Sequence, residues 1–106
     1  MELTGNGLND LSFGEAITLA KAGHKVARKG WNGKGMWISY TSGKVLDLKV
    51  DDIWTDNVRV VAEENGGKVE IHPYFSMKKA NNSIQMGWLA SQSDMLSRDW
   101  GIVEEK

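Results

Sequence analysis

The sequence contains no cysteine. A disulfide framework and a thiolate metal site are therefore both excluded. Its apolar runs are short, so no membrane-spanning helix and no membrane partner are expected. The opening residues show no basic segment followed by an apolar run, so no signal peptide is expected and the protein is placed in the cytoplasm. The net charge is only −1. Broad binding to a nucleic-acid polymer needs a basic surface, and this balance argues against it. The two histidines, His24 and His72, have no ligand cluster near them and are read as structural or surface residues, not metal ligands. HExxH, GxSxG and a dinucleotide fingerprint are all missing, as is the Gly-x4-Gly-Lys-Ser/Thr phosphate loop. No nucleophile, base and oxyanion donors stand together. No catalytic residues, cofactor or metal are assigned on these grounds, and the balance tilts toward a binding protein.

What is present fits one domain. The 106 residues suffice for a single core, and 41% hydrophobic with 25% charged residues is ordinary for a globular chain. Residues 1–9, with Gly5, Asn6 and Gly7, read as a flexible N-terminal arm, and 10–106 as the domain. Ser12 and Glu15 form a capping box for a helix to Ala22, with Phe13, Ala16, Ile17 and Ala20 on its apolar face and Gly23 as its stop. His24 to Lys29, Met36 to Thr41 and Val45 to Val50 read as strands, with Ser42-Gly43 as a turn. Asp51 to Asn57 reads as a solvated loop around Trp54. Val58 to Ala62 and Lys68 to Ile71 read as strands about the Asn65-Gly66-Gly67 hairpin. Tyr74 to Lys79 and Ser83 to Met86 flank a second hairpin at Asn81-Asn82, and Gly101 to Glu104 closes as a strand. The expected fold is α+β: a small single domain with an antiparallel sheet, hairpins and two short helices.

Two stretches carry possible chemistry. In Gly87 to Trp100, GWLASQSDMLSRDW, Ser91 and Asp94 make the capping pattern of a short helix to about Ser97. Trp88 and Trp100 bracket that helix. Either indole can be a core anchor; Trp88, beside amide donors, can equally be a stacking wall. The second stretch, GWNGKGM from Gly30 to Met36, holds three glycines in its first six residues, letting backbone amides approach a ligand closely. There Trp31 can stack, Asn32 can bond a base edge and Lys34 can neutralise a phosphate. The same loop can also be a hairpin turn with its tryptophan folded onto the core. Lys25, Arg28, Lys29 and Lys34 occur between His24 and Trp37 with no acid among them. They read either as an anion-holding spot or as a solvated basic edge.

Three blocks together are more specific than any alone: SFGEAITLAKAGHKVARKGWNGKGM (Ser12 to Met36), PYFSMKKANNSIQMGW (Pro73 to Trp88) and LASQSDMLSRDWGIVE (Leu89 to Glu104). Their order and spacing closely resemble the second Thoeris anti-defence family, small and mostly phage-encoded proteins. The resemblance leaves out the arm before Asp10 and the region from about Ser42 to Ile71, which looks like a variable insertion. It implies a non-enzymatic sponge in the host cytoplasm. Such a sponge holds a glycocyclic ADP-ribose made by Thoeris TIR enzymes, and in some members CBASS cyclic dinucleotides such as cyclic di-GMP, so that the effector is never activated. It also implies a homotetramer with ligands between subunits.

Read against those ligands, Trp31 and Trp88 are candidate stacking faces. Asn32, Gln92 and Asp94 are candidates for base or ribose edges, and Gly33, Ser91, Arg28, Lys34 and Arg98 for phosphates. Two alternatives stand beside the sponge. One is a phosphodiesterase or nucleosidase acting on the same signals, with Asp51, Asp52 and Asp94 as its first carboxylates. The other is a phage structural or host-interaction module whose five tryptophans serve core and interface.

Overall fold

A computed structural model describes residues 3–4, 9–50, 53 and 55–103. The first helix, α1 (Phe13–Lys21), starts as its capping box dictates. Ser12 Oγ accepts from the Glu15 amide at 3.2 Å, and Glu15 Oε1 accepts from the Ser12 amide at 2.8 Å. Hydrogen bonding to its carboxylate by the Ser12 amide first, and by the Ser12 hydroxyl second, holds the Glu15 carboxyl below its ordinary range.

The chain forms two compact units. The larger comprises residues 1–41 and 74–106 and is built on a six-stranded antiparallel sheet. Its strands are β1 (Leu3–Thr4), β2 (Lys25–Arg28), β3 (Trp37–Thr41), β6 (Tyr74–Lys78), β7 (Ile84–Met86) and β8 (Trp100–Val103), in the spatial order β1-β8-β2-β3-β6-β7. Val26, Ile38 and Met77 lie abreast on neighbouring strands. They meet Ala16 and Ala20 of α1 and the wholly buried Trp100 to form the core. Two alanines on the helix face let its backbone approach the sheet closely, and the volume is filled by large side chains from the strands. The third helix of the chain, α3 (Gln92–Leu96), is a single short turn-and-a-half leading into β8.

The smaller unit, Ser42–Pro73, has its own core. Here β4 (Lys44–Asp47) pairs antiparallel with β5 (Lys68–Ile71), and between them run a 3-10 turn (Leu48–Val50) and the helix α2 (Asp56–Glu64). Leu46, Ile53 and Ala62 are buried against one another, with Leu48, Val58, Val69 and Ile71 around them.

The α+β antiparallel architecture is the one expected, with three differences in detail. Val58 to Ala62 is helical, not a strand. Thr55 caps it by accepting the Val58 amide at 3.2 Å, and Val58 and Ala62, four residues apart, share its inward face. The β-branched run favours strands locally, and the cap and burial override it. Asn65-Gly66-Gly67 accordingly ends a helix and does not turn a hairpin: the Gly67 amide reaches back to the Ala62 carbonyl at 2.8 Å, with Gly67 at φ 105°. Val45 to Val50 is a strand only to Asp47 and then tightens into the 3-10 turn. Of the expected arm, Leu3 and Thr4 pair with Val103 and Ile102 of β8. Residues 1–2 and 5–8 lie outside the described residues, as do Asp51, Asp52 and Trp54 of the expected loop and Glu104 of the closing strand.

Because α2 depends on its cap, Thr55→Ala should destabilise the smaller unit by about 1 kcal/mol, and Thr55→Ser by much less. Amide exchange along Val58–Glu63 measures this; equal protection in both variants would show that the cap carries no weight.

Candidate ligand-binding site

The site is assembled around Arg28, the last residue of β2, whose cross-strand partner is Trp100 of β8. Arg28 shares the α1-facing side of the sheet with Val26, two residues before it. Its side chain is only 15% exposed, so its donors need protein acceptors. Nη1 donates to Asp94 Oδ1 at 2.9 Å, and Nε donates to Asp99 Oδ1 at 2.9 Å. Both carboxylates then hold something else. Asp99 Oδ2 accepts the Gly30 amide at 2.8 Å. Asp94 Oδ1 also accepts the Trp31 indole Nε1 at 3.0 Å, and its Oδ2 accepts the Ser91 amide at 3.0 Å. Ser91 Oγ in turn accepts the Asp94 amide at 3.0 Å, the capping box of α3. A β-carbon at Gly30 would lie 2.8 Å from Asp99 Oδ2, so the close approach of that carboxylate requires glycine there.

The charges reinforce one another. Burial pushes the Asp94 carboxyl up, but the Ser91 amide, the Trp31 indole and Arg28 together outweigh it and hold it below the usual carboxylate range. Asp99 is likewise raised by burial and lowered by more, through Arg28 and the Gly30 amide. The Arg28 guanidinium is raised, chiefly by its hydrogen bonds to Asp99.

Three indoles meet beside this network, each edge to face with the other two. Trp31 and Trp100 have centroids 5.3 Å apart at 80°, Trp88 and Trp100 6.2 Å at 75°, and Trp31 and Trp88 6.3 Å at 71°. Trp100 is the core anchor: it is fully buried, and its Nε1 donates to the Asp94 carbonyl at 2.9 Å. Trp31 and Trp88 pack against the core by part of their surface and keep part exposed.

The sequence-derived candidates therefore separate into two groups. Arg28, Trp31, Trp88, Ser91 and Asp94 come together in one cluster, where the polar groups of Arg28 and Asp94 are engaged with protein partners. Asn32 and Lys34 are exposed on the loop beside them, and Gln92 is exposed on the first turn of α3. Gly33 is half-buried against Met36 and Ala80. Arg98 is exposed, and its charge acts on Glu15 of α1. Asp99 was not among the candidates, although it holds the loop. Its signal was weak: one acid beside Arg98, with nothing to say that a backbone amide near residue 30 would need it.

Both carboxyls titrate below the unfolded value of about 3.9. Their stabilisation is thus complete above that value and is lost as pH falls through their folded-state values. Asp94→Asn should cost about 2–4 kcal/mol at neutral pH by leaving Arg28 half-paired, and should flatten the fall in stability below about pH 4. Urea unfolding at pH 7 and pH 3 measures both, and an equal cost at the two pH values would contradict the charge assignment.

This chain is similar to known proteins. A family model described as the Thoeris anti-defense 2-like domain matches residues 11–103, a span that includes the Gly30 to Met36 loop, α3 and all three indoles. The chain is also 36% identical over 93 residues to the protein named Thoeris anti-defense 2 of Bacillus phage SP01, an alignment covering 88% of this chain and 94% of the phage protein. A match running from the first helix to the closing strand, together with this identity, establishes that the chain belongs to the Thoeris anti-defense 2-like family.

Proposed function

We propose that the protein counters Thoeris defence by binding a cyclic nucleotide immune signal, glycocyclic ADP-ribose first among them, and holding it uncleaved. Cyclic dinucleotides of CBASS defence belong to the same reading, since they present the same rings and phosphates. Family membership supports the anti-defence part. The observation that carries the binding part is the pair Trp31 and Trp88, partly exposed and set at 71° to each other beside the exposed Asn32 and Lys34. Indole surface can stack on a purine, Asn32 can read a ring edge, and Lys34 can pair with a phosphate.

Sequestration is favoured over catalysis by what Asp94 does. It is the one carboxylate of the hydrolytic alternative that lies among the described residues, and three donors already occupy it. Held ionised by those donors, it is a poor proton acceptor. Its role in this reading is to orient Trp31, with Arg28 and Ser91 as fellow supports, while Asn32, Lys34, Gln92 and Trp88 meet the ligand.

Affinity points to more than one subunit. Each stacked base contributes about 1–3 kcal/mol, whereas nanomolar binding needs about −12 kcal/mol. Large apolar residues before and after Trp88 in the chain are exposed: Ile84 and Met86 on β7, one of the two edge strands of the sheet, Leu89 at 91% exposure and Leu96 at 77%. An exposed set of this kind suits burial against further copies, in the tetramer that the family resemblance implies.

Incubation with glycocyclic ADP-ribose, followed by heat denaturation and chromatography, should return the unchanged compound in proportion to protein. A cleaved product would overturn sequestration, and no melting shift with any cyclic nucleotide would favour the structural-module alternative. Trp88→Ala should weaken binding roughly tenfold to a hundredfold, as expected for the loss of one stack. Replacing Leu89 and Leu96 together by Glu should dissociate the assembly and lower affinity in step; light scattering and titration on the same samples test that link.

A further inference from the structure

The loop from Gly30 to Met36 is tied at its first residues by Asp99 and Asp94. Its far end is tied by Lys78. The Lys78 ammonium donates to the Gly35 carbonyl at 2.8 Å, and the bond is partly buried. Lys78 is the last residue of β6 and the cross-strand partner of Trp37, so the rigid sheet fixes where its side chain begins. Gly35 has φ 74°, a left-handed turn, and its carbonyl needs a donor that the loop itself does not provide. Between the two ties, Gly33 lies so near Met36 Sδ and Ala80 Cβ that a β-carbon there would collide. Ala80 belongs to the turn that follows β6, so the middle of the loop rests on the same hairpin that supplies Lys78. Between the two ties, Asn32 and Lys34 are the exposed residues.

We infer that Lys78 is a positioning residue for the binding site: its bond to the Gly35 carbonyl holds the Asn32–Lys34 segment in the shape that receives the ligand. The inference rests on the binding function proposed above. It adds a residue more than forty positions along the chain from the loop, on an element that no ligand assignment includes. A tie at one end would leave Asn32 and Lys34 to be ordered when ligand arrives, and that ordering would subtract from affinity. A tie at both ends orders them beforehand.

The test separates the tie from the ligand. Lys78→Met keeps the aliphatic stem and removes the donor, and Lys78→Arg keeps a donor. In the ligand-free protein, amide exchange of residues 31–36 should speed up roughly fivefold to tenfold in Lys78→Met, as for one lost hydrogen bond, and return toward wild type in Lys78→Arg. Exchange in β3 and β8 should stay unchanged, which confirms the fold; if Lys78→Met does not fold, Lys78→Ala, which also lacks a donor, takes its place. Affinity for glycocyclic ADP-ribose should fall by a similar factor and recover with Arg. Unchanged exchange would overturn the inference, and so would faster exchange with unaltered affinity. A fall in affinity without faster exchange would make Lys78 a direct contact and overturn it too. Should the wild type bind no cyclic nucleotide, the binding function fails, while the exchange arm still decides whether Lys78 orders the loop.

Discussion

One guanidinium, withdrawn from most of its water, organises one end of the larger unit. Arg28 cannot give up its charge, so burying it obliges the fold to bring carboxylates to it. Asp94 and Asp99 answer from positions far along the chain, and each uses its remaining lone pairs on a different part of the site. Through Asp99 the charge reaches the Gly30 amide, and through Asp94 it reaches the Trp31 indole and the amide at the start of α3. A loop rich in glycine and a helix of five residues have little intrinsic stability. Both are held because they complete the coordination of one cation.

That arrangement gives the exposed residues of the loop a fixed base. In the proposed function, a sponge must bind a flexible ring tightly without assisting its cleavage. Ordering the receiving surface in advance lowers the cost of association. Engaging the nearby carboxylates in ion pairs leaves them poor proton carriers. The same bonds therefore serve tight holding and chemical silence.

Much of this was readable from residue patterns. The capping boxes at Ser12 and Ser91 located two helices, because the side-chain chemistry they need is local and specific. The hairpin at Asn81-Asn82 was legible for the same reason, with Asn82 in the left-handed conformation its turn requires. The helix α2 was not, since three valines in five residues speak for a strand and glycines end helices as readily as they turn hairpins. Its Thr55 cap decides the matter, and threonine is too common before apolar runs to announce itself. At the site, the aromatic and glycine-rich candidates were visible by type. The roles of Arg28, Asp94 and Asp99 were not, because which acid meets which base depends on how β2, α3 and β8 are juxtaposed. Lys78 was invisible for a related reason: its partner is a backbone carbonyl, which has no letter in a sequence.

The smaller unit leaves the sheet after Thr41 and the chain returns at Tyr74, and these two residues face each other as the last rung between β3 and β6. Departure and return are therefore neighbours on a frame that is already closed below them. A segment inserted at such a doorway can be lengthened, swapped or trimmed to a tight turn without removing any rung of the ladder. For this chain, residues 42–73 begin and end at the same rung, so one pair of residues on β3 and β6 fixes both ends of the segment.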